Sequence, residues 1–209
     1  MTFLRNLTIK KVIRATLRIT FFCAVILLSA SNLSAQSYYF DYYSVKEGLP
    51  QSKVYDVLQD NSGYLWLATE SGVSRFDGFN FINYTAENGL APGGVKTLLK
   101  DSKGNIWMGH ASGGVSLFDG EKLKKHPISE LIKAEITSLI LDKDSVMWIS
   151  TYGDGLFRLD NPFELIPDSI KYKHYKGRIS DRVISGTIAQ GDTIFFITDA
   201  DIKKYNKST

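Results

Sequence analysis

The chain has 209 residues, with 25 Lys and Arg against 22 Asp and Glu and a single cysteine, Cys23. Five of the basic residues (Arg5, Lys10, Lys11, Arg14 and Arg18) lie in the first 36 positions and no acid does, so the remainder carries 20 bases against 22 acids. That near-neutral balance leaves no electrostatic footprint for nucleic acid, and the lack of cysteine after Cys23 excludes disulfides, so about 170 residues must be held by their core alone.

The basic lead is followed by the apolar run Ile19–Ala30 and then by small residues near Ala35. This order predicts a secretory signal peptide over residues 1–36, with export to the periplasm. The alternative is an inner-membrane anchor over 19–35, but the apolar run is short of the roughly 20 residues that span a bilayer. Cys23 lies inside the apolar run and lacks the small-residue context of a lipidation site.

From residue 37 onward one unit repeats. Trp66, Trp107 and Trp148 are spaced 41 apart, and Asp60, Asp101 and Asp142 each precede their tryptophan by six. Each unit reads as four short strands. Strand A is KVYDVL, GVKTLL or EITSLI, and strand B is YLWLAT, NIWMGH or VMWIST. Strand C is GVSRF, GVSLF or GLFRL, and strand D is FNFINY, EKLKKH or, after an insertion, IKYKHY. A period of 40–45 residues with turn signals every 8–12 predicts an all-β fold of four-stranded antiparallel propeller blades. The units fall at about 45–85, 86–127, 128–176 and 177–209.

The fourth unit is partial. TIFFITDADIKKY (193–205) fits the pattern if Phe195 stands for the tryptophan and Ala189 for the turn aspartate. At the other end YYFDYY, within 37–44, precedes FNFINY by 41 residues and reads as an orphan outer strand. One D strand, three full units and then A, B and C could close a four-bladed ring. The preferred reading is an open arc that begins a larger propeller, because wedges suited to a larger ring resist tighter bending. Its bare end faces make self-association an expected interaction.

The repeated stretches VYDVLQDNSGYLWLATESGVSRFDG, VKTLLKDSKGNIWMGHASGGVSLFDG and ITSLILDKDSVMWISTYGDGLFRLD resemble the two-component regulator propeller repeat. The resemblance covers about residues 37–160 well and 170–205 weakly. It implies the N-terminal part of a periplasmic sensor domain, as found in histidine kinases and hybrid two-component regulators of Bacteroidetes-like genomes. In that family further blades usually precede a membrane helix and an output module. No kinase or output domain is recognisable in these residues, so the expected role is binding.

The tryptophans are expected in the core, since every unit has one and a ligand platform would need only some. Asp60, Asp101 and Asp142 are expected to accept backbone N–H bonds in the A–B turns, with Gly63 and Gly104 in the left-handed position. These turns lack the further acidic residues of a calcium loop, so no metal or cofactor is expected. Functional variation belongs on the face formed by the B–C and D–A loops, where the repeats disagree. There Thr69, His110, Thr151 and Thr198 align, as do Glu70, Ala111, Tyr152 and Asp199. Glu70, His110, Tyr152 and Asp154 are the candidate ligand-binding residues, for an oligosaccharide, acidic glycan or other small periplasmic ligand. His126 and His174 read as surface residues of outer strands. No nucleophile elbow, H-E-x-x-H or dinucleotide loop is present, so no enzyme is expected. The alternatives are an exported carbohydrate-active enzyme on a propeller, whose carboxylate pair spacing cannot reveal, or a truncated fragment without function.

Overall fold

The computed structural model describes residues 14–24, 38–177, 182–188 and 193–206. The chain divides into a unit over Met1–Tyr42 and a second over Tyr43–Thr209. In the first, residues 14–24 are helical and 38–42 form no strand, although an outer strand is expected there. A strand is held by its ladder partner, and none pairs with this segment. Among the described residues no helix is long and apolar enough to cross a membrane.

The second unit is four antiparallel sheets in sequence order. Blade 1 holds β1 (Val54–Gln59), β2 (Leu65–Thr69), β3 (Gly72–Phe76) and β4 (Phe81–Tyr84). Blade 2 holds β5 (Val95–Lys100), β6 (Ile106–His110), β7 (Val115–Phe118) and β8 (Leu123–Lys125). Blade 3 holds β9 (Glu135–Leu141), β10 (Met147–Tyr152), β11 (Leu156–Leu159) and β12 (Tyr172–Tyr175). Among the described residues blade 4 holds β13 (Val183–Ile188), β14 (Thr193–Thr198) and β15 (Ile202–Asn206). Each strand pairs with its sequence neighbour, and blades meet chiefly through β1, β5, β9 and β13. A register shift falls near the start of every A strand, as between Val54 and Asp56 or Val95 and Thr97. Alternation alone did not disclose it, because a bulge adds one residue without changing composition.

Three apolar clusters lie between blades. Trp66 packs with Val95, Leu98, Ile106 and Met108 of the next blade. Trp107 packs with Ile136, Leu139, Met147 and Ile149, and Trp148 with Ile194 and Phe196. Every tryptophan therefore points forward onto the rear face of the following blade, and all three are fully buried. Tyr84 stacks on Trp66 and Tyr175 on Trp148. Blade 2 has His126 at that position, its ring centre 5.8 Å from that of Trp107, and Phe163, from the insertion between β11 and β12, adds an edge contact to the same indole.

The six-residue spacing has a hydrogen-bond cause. The A–B hairpin sets Leu58 opposite Trp66, which brings the turn aspartate beside the indole. One carboxylate oxygen of Asp60 accepts from the N–H groups of Ser62 and Tyr64, and the other accepts from Trp66 Nε1 at 2.9 Å. The same pair of roles recurs at Asp101 with Trp107 (2.9 Å) and at Asp142 with Trp148 (3.1 Å). The turn then needs a left-handed residue. Gly63 and Gly104 supply it at φ 91° and 89°, but the third turn uses Ser145 at φ 61°. Replacing Ser145 with Gly removes a side chain from that conformation and should stabilise the chain by about 0.5–1 kcal/mol, after the entropic cost of glycine. A rise in the urea midpoint at unchanged slope is the measurement that checks it.

Candidate functional site

The two faces of the arc differ in kind. One carries the A–B and C–D turns, where the aspartates above and Asp77 and Asp119 make local bonds to backbone N–H groups. That face repeats itself. On the other, the B–C turns meet the D–A connectors, and the repeats diverge.

The connectors are built alike at the first two positions. Ser44 and Thr85 cap short 3-10 turns at Val45–Glu47 and Ala86–Asn88, which end in Gly48 and Gly89 at φ 110° and 100°. The next residues, Leu49 and Leu90, are buried. This explains why EGL returns as NGL: a left-handed glycine ends the turn and a leucine plugs the core.

Between blades 1 and 2 the connector closes on the B–C turns of both. Gly94 lies so near Glu70 that an added Cβ would sit 2.5 Å from the Glu70 carbonyl oxygen. The Gly94 carbonyl accepts from Ala111 N–H at 2.8 Å. Over this junction lies an open cleft of about 450 Å³ lined by Glu70, Ser71, Thr85, Ala86, Glu87 and Gly93–Gly94. Glu70 is exposed at its mouth.

His110 is not part of that rim. Sequence alignment with Thr69 and Thr151 put it at the loop edge, but the ring is buried. His110 Nδ1 lies 3.2 Å from the Gly93 carbonyl, and Nε2 lies 2.8 Å from Ser116 Oγ. The carbonyl can only accept, so Nδ1 carries the proton and Nε2 accepts from the Ser116 hydroxyl. Ser116 Oγ in turn accepts from Ala91 N–H at 2.8 Å. In the other blades the threonine hydroxyl does a smaller version of this work, donating to the carbonyls of Gly72, Gly155 and Asp201 across the turn. His110 is a core residue that ties blade 2 to its connector.

Tyr152 and Asp154 share the β10–β11 turn, on blade 3, while Glu70 is on blade 1. Tyr152 is about half exposed, with the Arg182 guanidinium 5.4 Å from its ring centre. Arg182 also faces Asp199 at 3.6 Å, so this group bridges blades 3 and 4. Asp154 accepts from Lys176 Nζ at 2.8 Å, and its carbonyl accepts from His174 Nε2 at 2.7 Å. His174 lies flat on Phe157, ring centres 4.0 Å apart, on the outer edge of the blade.

His126 is likewise a correction: it is buried, not on the surface. Its Nδ1 accepts from Ile128 N–H at 3.1 Å, and its Nε2–H donates to the Pro162 carbonyl at 3.0 Å. The insertion in blade 3 is what covers it, a long-range contact invisible in the local pattern. Burial holds both His110 and His126 below the ordinary histidine value of 6.5. Both are therefore neutral when folded, and the unfolded chain binds more protons below that value. Stability should be full above pH 6.5 and decline as the pH falls beneath it through the folded values. Thermal unfolding at pH 7.5, 6 and 5 tests this; His110→Thr, which restores the residue of the other blades, should flatten the decline.

Among the described residues no group of three or more His, Cys, Asp or Glu side chains is placed to hold a metal ion.

Residues 48–71 match the family described as two component regulator propeller. A curated histidine kinase of Formosa agariphila is 42% identical over 62 residues, covering 28% of this chain and 4% of the kinase. The extracellular domain of a candidate hybrid two component system from Bacteroides thetaiotaomicron superposes with a TM-score of 0.62 at 18% identity, over 81% of this chain and 26% of that one. Virginiamycin B lyase from Staphylococcus aureus superposes with a TM-score of 0.52 at 16% identity, over 78% of this chain and 58% of the lyase. The chain thus spans a small part of the kinase and about a quarter of the two-component domain. Residues 48–71 are thus similar to one two component regulator propeller repeat, and the Asp and Trp of that unit recur in register in the next two blades of the fold.

Proposed function

We propose that this chain is a periplasmic binding module of the kind that forms the sensing half of a two-component regulator, exported by residues 1–36. The observation that carries the reading is the division between the two faces. Repeated aspartate turns make one face uniform, whereas the other holds an open cleft of about 450 Å³ where the blades differ. The histidine kinase similarity supports the same assignment.

The chemistry of the cleft narrows the ligand. Glu70 and Glu87 both line it, beside the Ser71 and Thr85 positions. Two carboxylates repel an acidic glycan, so the cleft suits a neutral or amino-bearing oligosaccharide whose hydroxyl or ammonium groups donate to them. Tyr152 and Asp154, on blade 3 and engaged with Arg182 and Lys176, form a second and more distant contact region. A ligand reaching both would brace blades 1 to 3 together, and in a complete regulator that tightening would shift the balance between two arrangements across the membrane.

The test is an array of neutral, amino-bearing and acidic oligosaccharides probed with the exported chain. Binding to a neutral or amino-bearing member is expected, weakened at least tenfold by Glu70→Ala with unchanged melting. An array without binders, or binding indifferent to Glu70 and Tyr152, would overturn the proposal. Product formation lost in Glu70→Gln or Asp154→Asn would favour an exported enzyme instead.

A further inference from the structure

The connector between blades 1 and 2 serves two hollows at once. Around its 3-10 turn, Thr85, Ala86 and Glu87 line the cleft that holds Glu70. The residues that bracket those three, Tyr84 and Asn88, line an open groove of about 360 Å³ toward the outer strands β4 and β8, together with Phe118, Glu121, Lys122 and Leu123. Tyr84 is bonded to Thr85 and Glu87 to Asn88, so the two linings adjoin at both ends of the turn, with Cα atoms about 3.8 Å apart.

The floor of this groove is apolar and fixed. Tyr84 stacks on Trp66 with ring centres 5.9 Å apart, and Phe118 lies 4.9 Å from the same indole. Leu123 packs against the same cluster. The rim is polar and unengaged. Glu121 and Lys122 are exposed, and only their backbone N–H groups are used, as donors to Asp119. Among the described residues no hydrogen bond or ion pair engages the Glu121 carboxylate or the Lys122 ammonium. Asn88 Oδ1 accepts from Thr85 N–H at 2.9 Å, which leaves both Nδ2 hydrogens free to donate. The first connector has Glu47 at this place, which accepts from Ser44 N–H at 2.6 Å but has no hydrogen to give. Asn88 therefore caps its turn as Glu47 does and adds two donors to the rim.

The hollow at the next seam is of another kind. His126 stands in Tyr84's place, with its Nε2 donating to the Pro162 carbonyl. Ile170 stands where Glu121 does, since Asp160 N–H donates to the Lys171 carbonyl as Asp119 N–H does to that of Lys122. Glu130 is held by Lys125 and Lys133 at 2.7 and 3.6 Å. The polar groups of that seam already have partners; those of the first do not.

We propose that the outer groove is an adjoining subsite of the oligosaccharide site, a proposal that rests on the reading of the Glu70 cleft given above. A chain seated in the cleft crosses the turn Ala86–Asn88 and lays the apolar C–H face of one further pyranose ring on Tyr84, Phe118 and Leu123. Asn88 Nδ2 and Lys122 Nζ donate to oxygens of that ring, and one of its hydroxyls donates to Glu121. The volume falls within the roughly 300–1,000 Å³ usual for small-ligand clefts. The two subsites differ in charge. The cleft has two carboxylates and no base among its lining residues, whereas Glu121 and Lys122 cancel in the groove. The unit in the cleft is neutral or amino-bearing, and the unit in the groove is uncharged.

Oligomers of glucose, of mannose and of glucosamine, from two to six units long, are titrated into the exported chain by calorimetry. In the series that binds, the six-unit member should hold about tenfold tighter than the two-unit member. Lys122→Ala and Asn88→Asp should each remove most of that gain, with the affinity of the two-unit member and the melting temperature unchanged. Asn88→Asp is the sharper variant, because it keeps the acceptor for Thr85 N–H and loses both donors. Glu70→Ala should weaken short and long members alike. The Asn88 side-chain amide signal in a nitrogen-15 NMR spectrum should move with the six-unit member and stay in place with the two-unit one. Long members that bind through Glu70 without that gain, or with a gain that both variants leave intact, overturn the subsite and leave the cleft reading standing. A gain lost in both variants, with binding indifferent to Glu70, overturns the cleft reading and keeps the groove. No binding in any of the three series overturns both.

Discussion

Trp107→Ala should lower the unfolding free energy by about 3–5 kcal/mol. The indole is fully buried and touches a cluster drawn from β9, β10 and β11 of the following blade as well as its own. Truncation leaves a cavity between two sheets whose backbones are fixed by their own ladders and cannot collapse to fill it. It also removes one of the two donors on Asp101 Oδ2, leaving Asn105 Nδ2 at 2.8 Å as the other. Urea denaturation followed by circular dichroism gives the quantity directly. Near-native stability would mean that the indole is not the packing element that sets the repeat.

The second large effect concerns the acceptor. Asp101→Ala takes the partner from Lys103 N–H, Asn105 N–H, Asn105 Nδ2 and the indole N–H at once, with an expected loss of about 2–4 kcal/mol. Asp101→Asn is the sharper experiment. An amide has one acceptor oxygen, and if it serves the two backbone groups, its NH₂ is turned toward the indole N–H. Two donors then face each other in a buried site, and a loss of about 1–3 kcal/mol follows from the stranded indole. The position needs acceptors on both sides, which only an ionised carboxylate offers. In a Trp107→Phe background the indole donor is gone, so Asp101→Asn should cost far less. A double-mutant cycle should show coupling of about 1–2 kcal/mol. Additive losses would show that the carboxylate serves the turn alone.

Much of this architecture could be read directly because its period is short and its markers are rigid. The three tryptophans, the turn aspartates and the alternating strands placed β1 through β12 within two residues of the expected bounds. The spacing of six between aspartate and tryptophan was visible, but its cause was not, since it depends on how far the hairpin folds back. The same limit applies to the histidines. His110 and His126 look polar in the string, and only the connector at Gly93 and the insertion at Pro162 show that both rings are enclosed. For the fourth unit, the comparison of Ala189 with the turn aspartates lies outside the described residues, whereas Phe195 takes the tryptophan's place in the ladder without its burial.

The candidate binding residues were legible only as a set of positions. The B–C turns were correctly grouped with the D–A connectors, as the cleft lined by both shows. Which side chains remain free to meet a ligand depends on contacts between blades, and those are settled by residues far apart in the chain.

One tryptophan at each of the three internal junctions, and none in blade 4, gives the molecule a built-in optical label. Single-tryptophan versions would report the opening of one seam at a time, each indole losing its carboxylate neighbour as its emission moves to longer wavelength. The terminal three-stranded sheet has no such reporter of its own. Fraying that begins there stays dark until it reaches Trp148, so a lag between amide exchange in β13–β15 and the first spectral change would time the order in which the arc comes apart.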